Sequence, residues 1–270
     1  MEKHKTVMFE GRELHYRDEG REYHDTVVLL HGFLQNLNVW SSFILTYMRN
    51  MHVVAIDLPG HGYSSTYSDV HTMDFMAQAV KTVLDDANVE QCVMVGHSLG
   101  GYVALAFADR YSYMLKGLSL MHSHAMCDTP EIRFRRDEVC HQVHLNRAGF
   151  IVDFITGLFD ESKREYLATD IKELKDQCLE TREEGILAAQ RGMKVRTSKV
   201  KVLTSLSVPV LFVYGKNDPR IPLELGLSQA MLPHRSEVLM MDGVAHMSFM
   251  EEREYVKRRL CDFVHQCYTS

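Results

Sequence analysis

Three residues far apart in this 270-residue chain are of the types needed for nucleophilic attack on a carbonyl: Ser98, Asp218 and His246. A serine hydroxyl is a weak nucleophile until a base takes its proton. The base in turn needs an acid that fixes its tautomer. Ser98 lies in Gly96-His97-Ser98-Leu99-Gly100, directly after an apolar run at 92–95 and before a helical pattern that begins near Leu99. The pattern G-x-S-x-G arises by chance in roughly one chain of this length in ten. Its setting gives it weight: a strand, a sharp turn and a helix put the hydroxyl at the tip of a strained bend. Gly96 and Gly100 have no Cβ and let neighbouring backbone come close. The helix start aims unpaired N–H groups at developing negative charge. The alternative is a glycine-rich turn without chemistry.

The base is chosen by position, because a chain with 15 histidines gives little weight to any one of them. His246 follows the last apolar run, 238–241, through Asp242-Gly243-Val244-Ala245. The acid should follow the preceding run, 210–214, and Asp218 does so through Gly215-Lys216-Asn217. Asp218 could also be a simple turn aspartate before Pro219. Asp242 is a rival acid, but it falls on the wrong side of the last strand's turn. His31-Gly32-Phe33-Leu34 follows an early strand, and the Phe33 and Leu99 backbone N–H groups are the expected oxyanion donors.

These residues need a sheet to present them. Short apolar runs at 27–30, 53–56, 92–95, 118–121, 210–214 and 238–241 alternate with helical patterns at 39–49, 73–87, 99–111, 223–231 and 251–265. The alternation predicts an α/β fold with a mainly parallel sheet covered by helices. A hairpin, 6–9 and 14–17 around Glu10-Gly11, should open the chain. Between about 122 and 207 the strands stop, while helical segments appear at 133–144, 149–159 and 171–183. This stretch is too long for a loop. It reads as a helical cap, or lid, over the carboxyl edge of the sheet, where ligands bind in open α/β sheets. The expected division is a core of 1–121 and 208–270, with the cap at 122–207.

The net charge of −6 gives no reason to coat nucleic acid or an anionic membrane. No apolar run approaches the roughly 20 residues of a membrane span. The charged Met1-Glu2-Lys3-His4-Lys5 start leads into no apolar segment, so a secretory signal is not expected. The six cysteines are scattered without a CxxC pair, which points to reduced thiols in a cytoplasmic protein.

With these segments in place, the chain resembles the α/β-hydrolase superfamily, and within it the small cofactor-free esterases and lactonases with a helical cap. The resemblance rests on Leu30-His31-Gly32-Phe33, Asp57-Leu58-Pro59-Gly60-His61-Gly62-Tyr63-Ser64, Gly96 to Gly101, Tyr214-Gly215-Lys216-Asn217-Asp218 and Gly243-Val244-Ala245-His246. It covers almost the whole chain. It implies a core sheet of about eight strands, an inserted cap, an acyl-enzyme mechanism and no cofactor. Arg191-Gly192-Met193 is reminiscent of cap sequences in enol-lactonase-like members. Epoxide hydrolases and haloalkane dehalogenases of this fold use an aspartate where Ser98 stands.

The expected partner is a small ester or lactone, and the oligomeric state is left open. Ester hydrolysis leads. A lactonase or enol-lactonase comes second, a C–C bond hydrolase third, and a ligand sensor with slow turnover is the reading from another class. Candidate pocket residues are His31, His122, His124, Met126 and Phe154. His122, His124, Cys140, His141 and His144 lack a full ligand set of conventional spacing, so no metal site is expected. Arg133, Arg135 and Arg136 could recognise a substrate carboxylate, but they are more simply a solvated helix face. Phe150, Phe154, Leu158 and Phe159, with Met126, are either an apolar substrate wall or the cap's own core.

Overall fold

The computed structural model describes residues 4–269. Eight strands form one sheet: β1 (His4–Phe9), β2 (Arg12–Glu19), β3 (Thr26–Leu30), β4 (His52–Ile56), β5 (Cys92–His97), β6 (Leu115–Met121), β7 (Val210–Gly215) and β8 (Ser236–Met241). Their spatial order is β1-β2-β4-β3-β5-β6-β7-β8. Only the β1–β2 and β2–β4 pairings are antiparallel. The opening hairpin turns at Glu10 and Gly11, both at positive φ (47° and 73°), the tight reversal that matches the strand twist.

β3 and β5 are buried along their whole length, and the apolar runs at 27–30 and 92–95 suit strands covered on both faces. The covering helices are α1 (Ser41–Tyr47), α2 (Met73–Asp86), α3 (Leu99–Tyr111), the cap helices α4 (Pro130–Thr156), α5 (Ala168–Leu179), α6 (Glu183–Lys194) and α7 (Val200–Ser205), and then α8 (Leu223–Ala230), α9 (Ser248–Glu251) and α10 (Arg253–Thr269). Two expected helices are divided. The one at 39–49 opens as a 3-10 turn, Leu37–Trp40, before α1. The one at 251–265 is broken at Glu252, whose φ of −129° and ψ of 51° separate α9 from α10.

The inserted helical cap lies between β6 and β7. Thr129 caps α4 by accepting the Ile132 N–H at 3.3 Å, and Pro130 occupies the first turn. Asn146 then leaves helical geometry (φ −155°, ψ 78°), and its side chain accepts the Gly149 N–H at 3.0 Å. A single polar residue thus ends one helical half and caps the next, which is why the sequence shows two segments here. The expected segment at 171–183 is α5, shifted toward its amino end, whereas α6 and α7 have no counterpart among the expected helices.

The cap sits on the loops at the carboxyl ends of the strands. The His71 N–H donates to the Ala188 carbonyl at 3.0 Å, and Thr181 Oγ1 donates to the Leu34 carbonyl at 2.9 Å. A Cβ on Gly192 would overlap the His71 carbonyl, so only glycine allows α6 to lie this close. Among the described residues no helix is long and apolar enough to cross a membrane.

Asp57, one residue past β4, holds three loops together. It is 1% exposed. Its carboxylate accepts the Leu37 N–H at 2.7 Å and the Tyr63 N–H at 3.0 Å, and meets His15 Nδ1 at 2.7 Å. Asp57→Ala would strand those buried donors. We expect a loss of about 3 kcal/mol, read as a lower urea midpoint; an unchanged midpoint would show that the loops hold without it.

Candidate active site

β5 ends at His97 and α3 begins at Leu99, so Ser98 alone makes the reversal between them. Its backbone takes φ 51° and ψ −113°. L-residues rarely adopt such angles, and strain of this kind, of order 1–3 kcal/mol, persists only where the surroundings enforce it. Here the Ser98 N–H donates to the Met121 carbonyl at 2.9 Å. The Ser98 carbonyl accepts from the Gly101 N–H at 2.9 Å and from Ser123 Oγ at 2.9 Å. A Cβ on Gly100 would strike the Leu30 carbonyl, so the helix start presses directly on β3.

Asp218 and His246 come together as expected. His246 Nδ1 lies 3.0 and 2.9 Å from the two Asp218 oxygens. Asp218 Oδ1 also accepts the Arg220 and Ile221 N–H groups at 2.8 and 3.1 Å. Burial alone would raise the Asp218 pKa. The adjoining His246 and the hydrogen bonds from His122 and His246 outweigh it and hold the carboxyl well below its usual range. His246 is displaced downward from 6.5, first by burial and only partly countered by Asp218. With Nδ1 carrying the proton toward the carboxylate, Nε2 is left bare to receive another. Among the described residues no hydrogen bond joins the Ser98 hydroxyl directly to His246. Catalytic hydrogen bonds of this kind commonly tighten only when substrate is in place.

The Phe33 and Leu99 N–H groups have no acceptor within the protein among the described residues. Leu34 next to Phe33 has a positive φ of 68°. Gln35 fixes this turn: its Oε1 accepts the Gly32 N–H at 2.9 Å. His97 Nδ1 lies 3.2 Å from the same oxygen, and His97 Nε2 lies 3.0 Å from the His246 carbonyl. His97 is fully buried and its pKa is driven far down by desolvation, then by His246 and His122.

The His246 loop is held from both sides. The His246 N–H donates to the Leu158 carbonyl of the cap at 2.9 Å. The Glu251 carboxylate accepts the Ala245, Met247 and Asp160 N–H groups at 3.0, 3.2 and 2.7 Å. The sequence reading did not find Gln35, His97, Ser248 or Glu251. Only the spacing of Glu251, five residues past His246, could have hinted at its part.

The pocket candidates separate into three groups. His31 is fully buried; its Nε2 accepts the Leu58 N–H at 3.0 Å and its Nδ1 donates to the Gly32 carbonyl at 2.8 Å, which ties two strand-end loops together. His122 is also fully buried, between Asp218 and Ser248, with Nδ1 2.8 Å from Asp218 Oδ2 and Nε2 2.7 Å from Ser248 Oγ. Neither histidine opens on a pocket. His124 and Met126 border a small cleft with Tyr102 and Arg196.

Phe154 does line an open cleft, of about 550 Å³, beside Phe150, Val139, Gln142 and Arg220 under the kinked α4. Its ring stands edge-on to Phe33 at 5.5 Å, and the Arg220 guanidinium lies 4.4 Å from its centroid. Leu158 and Phe159 are cap core, each 1% exposed. None of the triad residues borders the cleft beside Phe154, and none borders a second hollow of about 690 Å³ beside Asp18, Arg21 and Met48. It lies at the amino ends of the parallel strands, where Glu19 pairs with Val53.

Asp242 is 86% exposed on its side chain and pairs with Lys216 at 2.8 Å on the surface. Arg136 bridges to Asp128 and Gln190 within the cap, while Arg133 and Arg135 face solvent. Among the described residues, His122, Asp218 and His246 are grouped closely enough, within 4.8 Å, to be weighed as metal ligands. Their contacts at 2.8–3.0 Å have the lengths of N–H···O hydrogen bonds, with one carboxylate accepting from both imidazoles.

Comparison with known proteins bears on the fold as a whole. A family profile described as alpha/beta hydrolase fold matches residues 25–137. The pimeloyl-(acyl-carrier protein) methyl ester esterase of Sodalis glossinidius is 30% identical over 249 residues, 88% of this chain and 92% of that protein. A 2-hydroxy-6-oxononadienedioate/2-hydroxy-6-oxononatrienedioate hydrolase of Paraburkholderia phymatum is 26% identical, covering 98% of this chain and 96% of its own. A thermophilic esterase from Thermogutta terrifontis, solved with malate bound, superposes with a TM-score of 0.91 at 28% identity, over 98% of this chain and 99% of that one. Given a sheet of this order, an inserted cap and a relative similar along nearly its full length, the chain belongs to the alpha/beta hydrolase fold family.

Proposed function

We propose that the protein is a serine hydrolase of small carboxylic esters that works through an acyl-enzyme on Ser98. The observation that carries this reading is the strained backbone of Ser98 (φ 51°, ψ −113°) at the carboxyl end of a central strand. The reading is supported by the Asp218–His246 hydrogen bonds and by the two N–H groups, of Phe33 and Leu99, left without acceptors. The esterase activity named for the Sodalis glossinidius and Thermogutta terrifontis proteins points to the same bond type. The working division is a core of residues 1–121 and 208–270 with a cap of residues 122–207.

The steps follow from the chemistry of the groups. Ser98 Oγ attacks the ester carbonyl carbon while its proton passes to His246 Nε2. The carbonyl oxygen becomes an oxyanion and accepts from the Phe33 and Leu99 N–H groups, each worth a few kcal/mol at the transition state. The tetrahedral intermediate collapses, its C–O bond to the alcohol breaks, and the imidazolium gives its proton to the departing alkoxide. Water then attacks the acyl-enzyme with His246 again as base, and the acid leaves. Asp218 stays ionised throughout and stabilises the imidazolium. The same groups open a cyclic ester, so the triad by itself does not separate a lactone from a linear ester.

Ser98→Ala is expected to cut p-nitrophenyl ester turnover by at least about ten-thousand-fold and to abolish fluorophosphonate labelling while melting normally. Wild-type-like turnover in that variant would overturn the assignment. His246 acts as base only when neutral, that is, above its own pKa, and burial sets that pKa below 6.5. The acid limb of the kcat/KM profile is therefore expected below pH 6.5. A limb centred above that value would mean that the Asp218 charge outweighs burial.

A further inference from the structure

The loop after β6 carries a group that the triad does not require. His122 has a backbone φ of 49°, a left-handed conformation that is strained for a residue with a Cβ. Its own N–H donates to the Val213 carbonyl at 2.9 Å, so the strand pairing continues up to the bend. The bend turns the imidazole under Asp218, with Nδ1 2.8 Å from Oδ2, while the Ser248 hydroxyl meets Nε2 at 2.7 Å. The side chain is fully shielded from water. The next residue, Ser123, donates to the Ser98 carbonyl at 2.9 Å. One short loop therefore supports both the nucleophile's turn and the acid.

We propose that His122, oriented by Ser248, is a positioning residue for the catalytic acid. It donates a second imidazole hydrogen bond to Asp218, which fixes the carboxylate toward His246 and sets how strongly that carboxylate favours the His246 imidazolium. This rests on the triad reading above. The chain runs Ser248 O–H to His122 Nε2, His122 Nδ1–H to Asp218 Oδ2, and Asp218 to His246 Nδ1–H. Every polar atom of His122 is thereby satisfied, as a buried polar group requires. The donor draws charge from the carboxylate that His246 also uses. The groups facing His246 are Asp218 and Arg220 from the loop after β7, His122 from the loop after β6, and His97 from β5. Glu251 on α9 binds the backbone on either side of it. Removing His122 subtracts a donor from Asp218 and an imidazole 5.3 Å from His246. The loss of that donor makes the His246 imidazolium easier to form, so the acid limb should move to higher pH.

The test compares wild type with His122→Ala, His122→Asn, Ser248→Ala and Ser98→Ala, using p-nitrophenyl acetate across pH and thermal melting. Asn tolerates the left-handed backbone better than most residues, and its amide can replace Nδ1–H as a donor. His122→Ala is expected to lower kcat roughly 10- to 100-fold, the range seen when an outer hydrogen-bond partner is lost, with little change in KM and with the acid limb moved up. His122→Asn should recover most of kcat and return the limb toward wild type. Two results would overturn the proposal: a folded His122→Ala enzyme with wild-type kcat and an unmoved acid limb, or folded Asn and Ala variants that are equally impaired. Should His122→Ala fail to fold, Ser248→Ala decides, since a loss of kcat at constant KM supports the proposal and an unchanged kcat refutes it. Ser98→Ala keeps the two ideas apart, because turnover retained there would defeat the triad reading whatever His122 does.

Discussion

A carboxylate taken almost wholly out of water must be matched by donors at nearly every lone pair, because an ionised group left bare in a protein interior is very costly. Asp218, whose side chain is 1% exposed, is that group here. Its two oxygens take backbone N–H groups from its own loop, one imidazole from the loop after β8 and another from the loop after β6. Three strand ends must therefore arrive at one point in register, and parallel pairing of β6, β7 and β8 delivers them there. The burial that imposes this demand acts on the neighbouring imidazole as well. It draws the His246 pKa below its usual value, and the carboxylate holds the tautomer.

Around that charge lies an unusual concentration of imidazole. The rings of His97, His122 and His246 stand 5.0–5.9 Å apart. Burial disfavours an imidazolium at both His97 and His246. For His97 the outcome is plain, with desolvation and its two neighbours all pushing its pKa down. Arg220 adds a further positive neighbour to His246.

The three strand-end residues were legible because parallel strands announce themselves as short apolar runs, and the residues that follow them share one edge of the sheet. Ser98 could be read from its place between a run and a helix, and Asp218 and His246 from their order. The same logic could not assign His122. It follows a run as well, but whether its ring turns into the cleft or under Asp218 depends on a single left-handed φ, which spacing does not reveal. Gln35 and Glu251 escaped for a related reason, since they act on backbone N–H groups and carry no motif. In the cap, the break at Asn146 showed as a gap between two helical segments. Gly192 was noticed only as part of a resemblance, and its physical reason, contact with the His71 carbonyl, needed the fold. α6 and α7 went unseen because the stretch read only as helix-rich, without clear boundaries.

The bonds that join the cap to the histidine loop make the two a single mechanical part. Leu158 holds the His246 N–H, and Glu251 binds Asp160 on the cap side together with Ala245 and Met247 on the loop side. A cap exchanged for one from a relative would have to bring a carbonyl to the place of Leu158 and an N–H to the place of Asp160, or His246 itself would shift. Cap and histidine loop are thus not independently interchangeable in this protein. Grafts that respect the root at 158–160 and vary only the helical half before Asn146 are the ones that leave His246 where it stands.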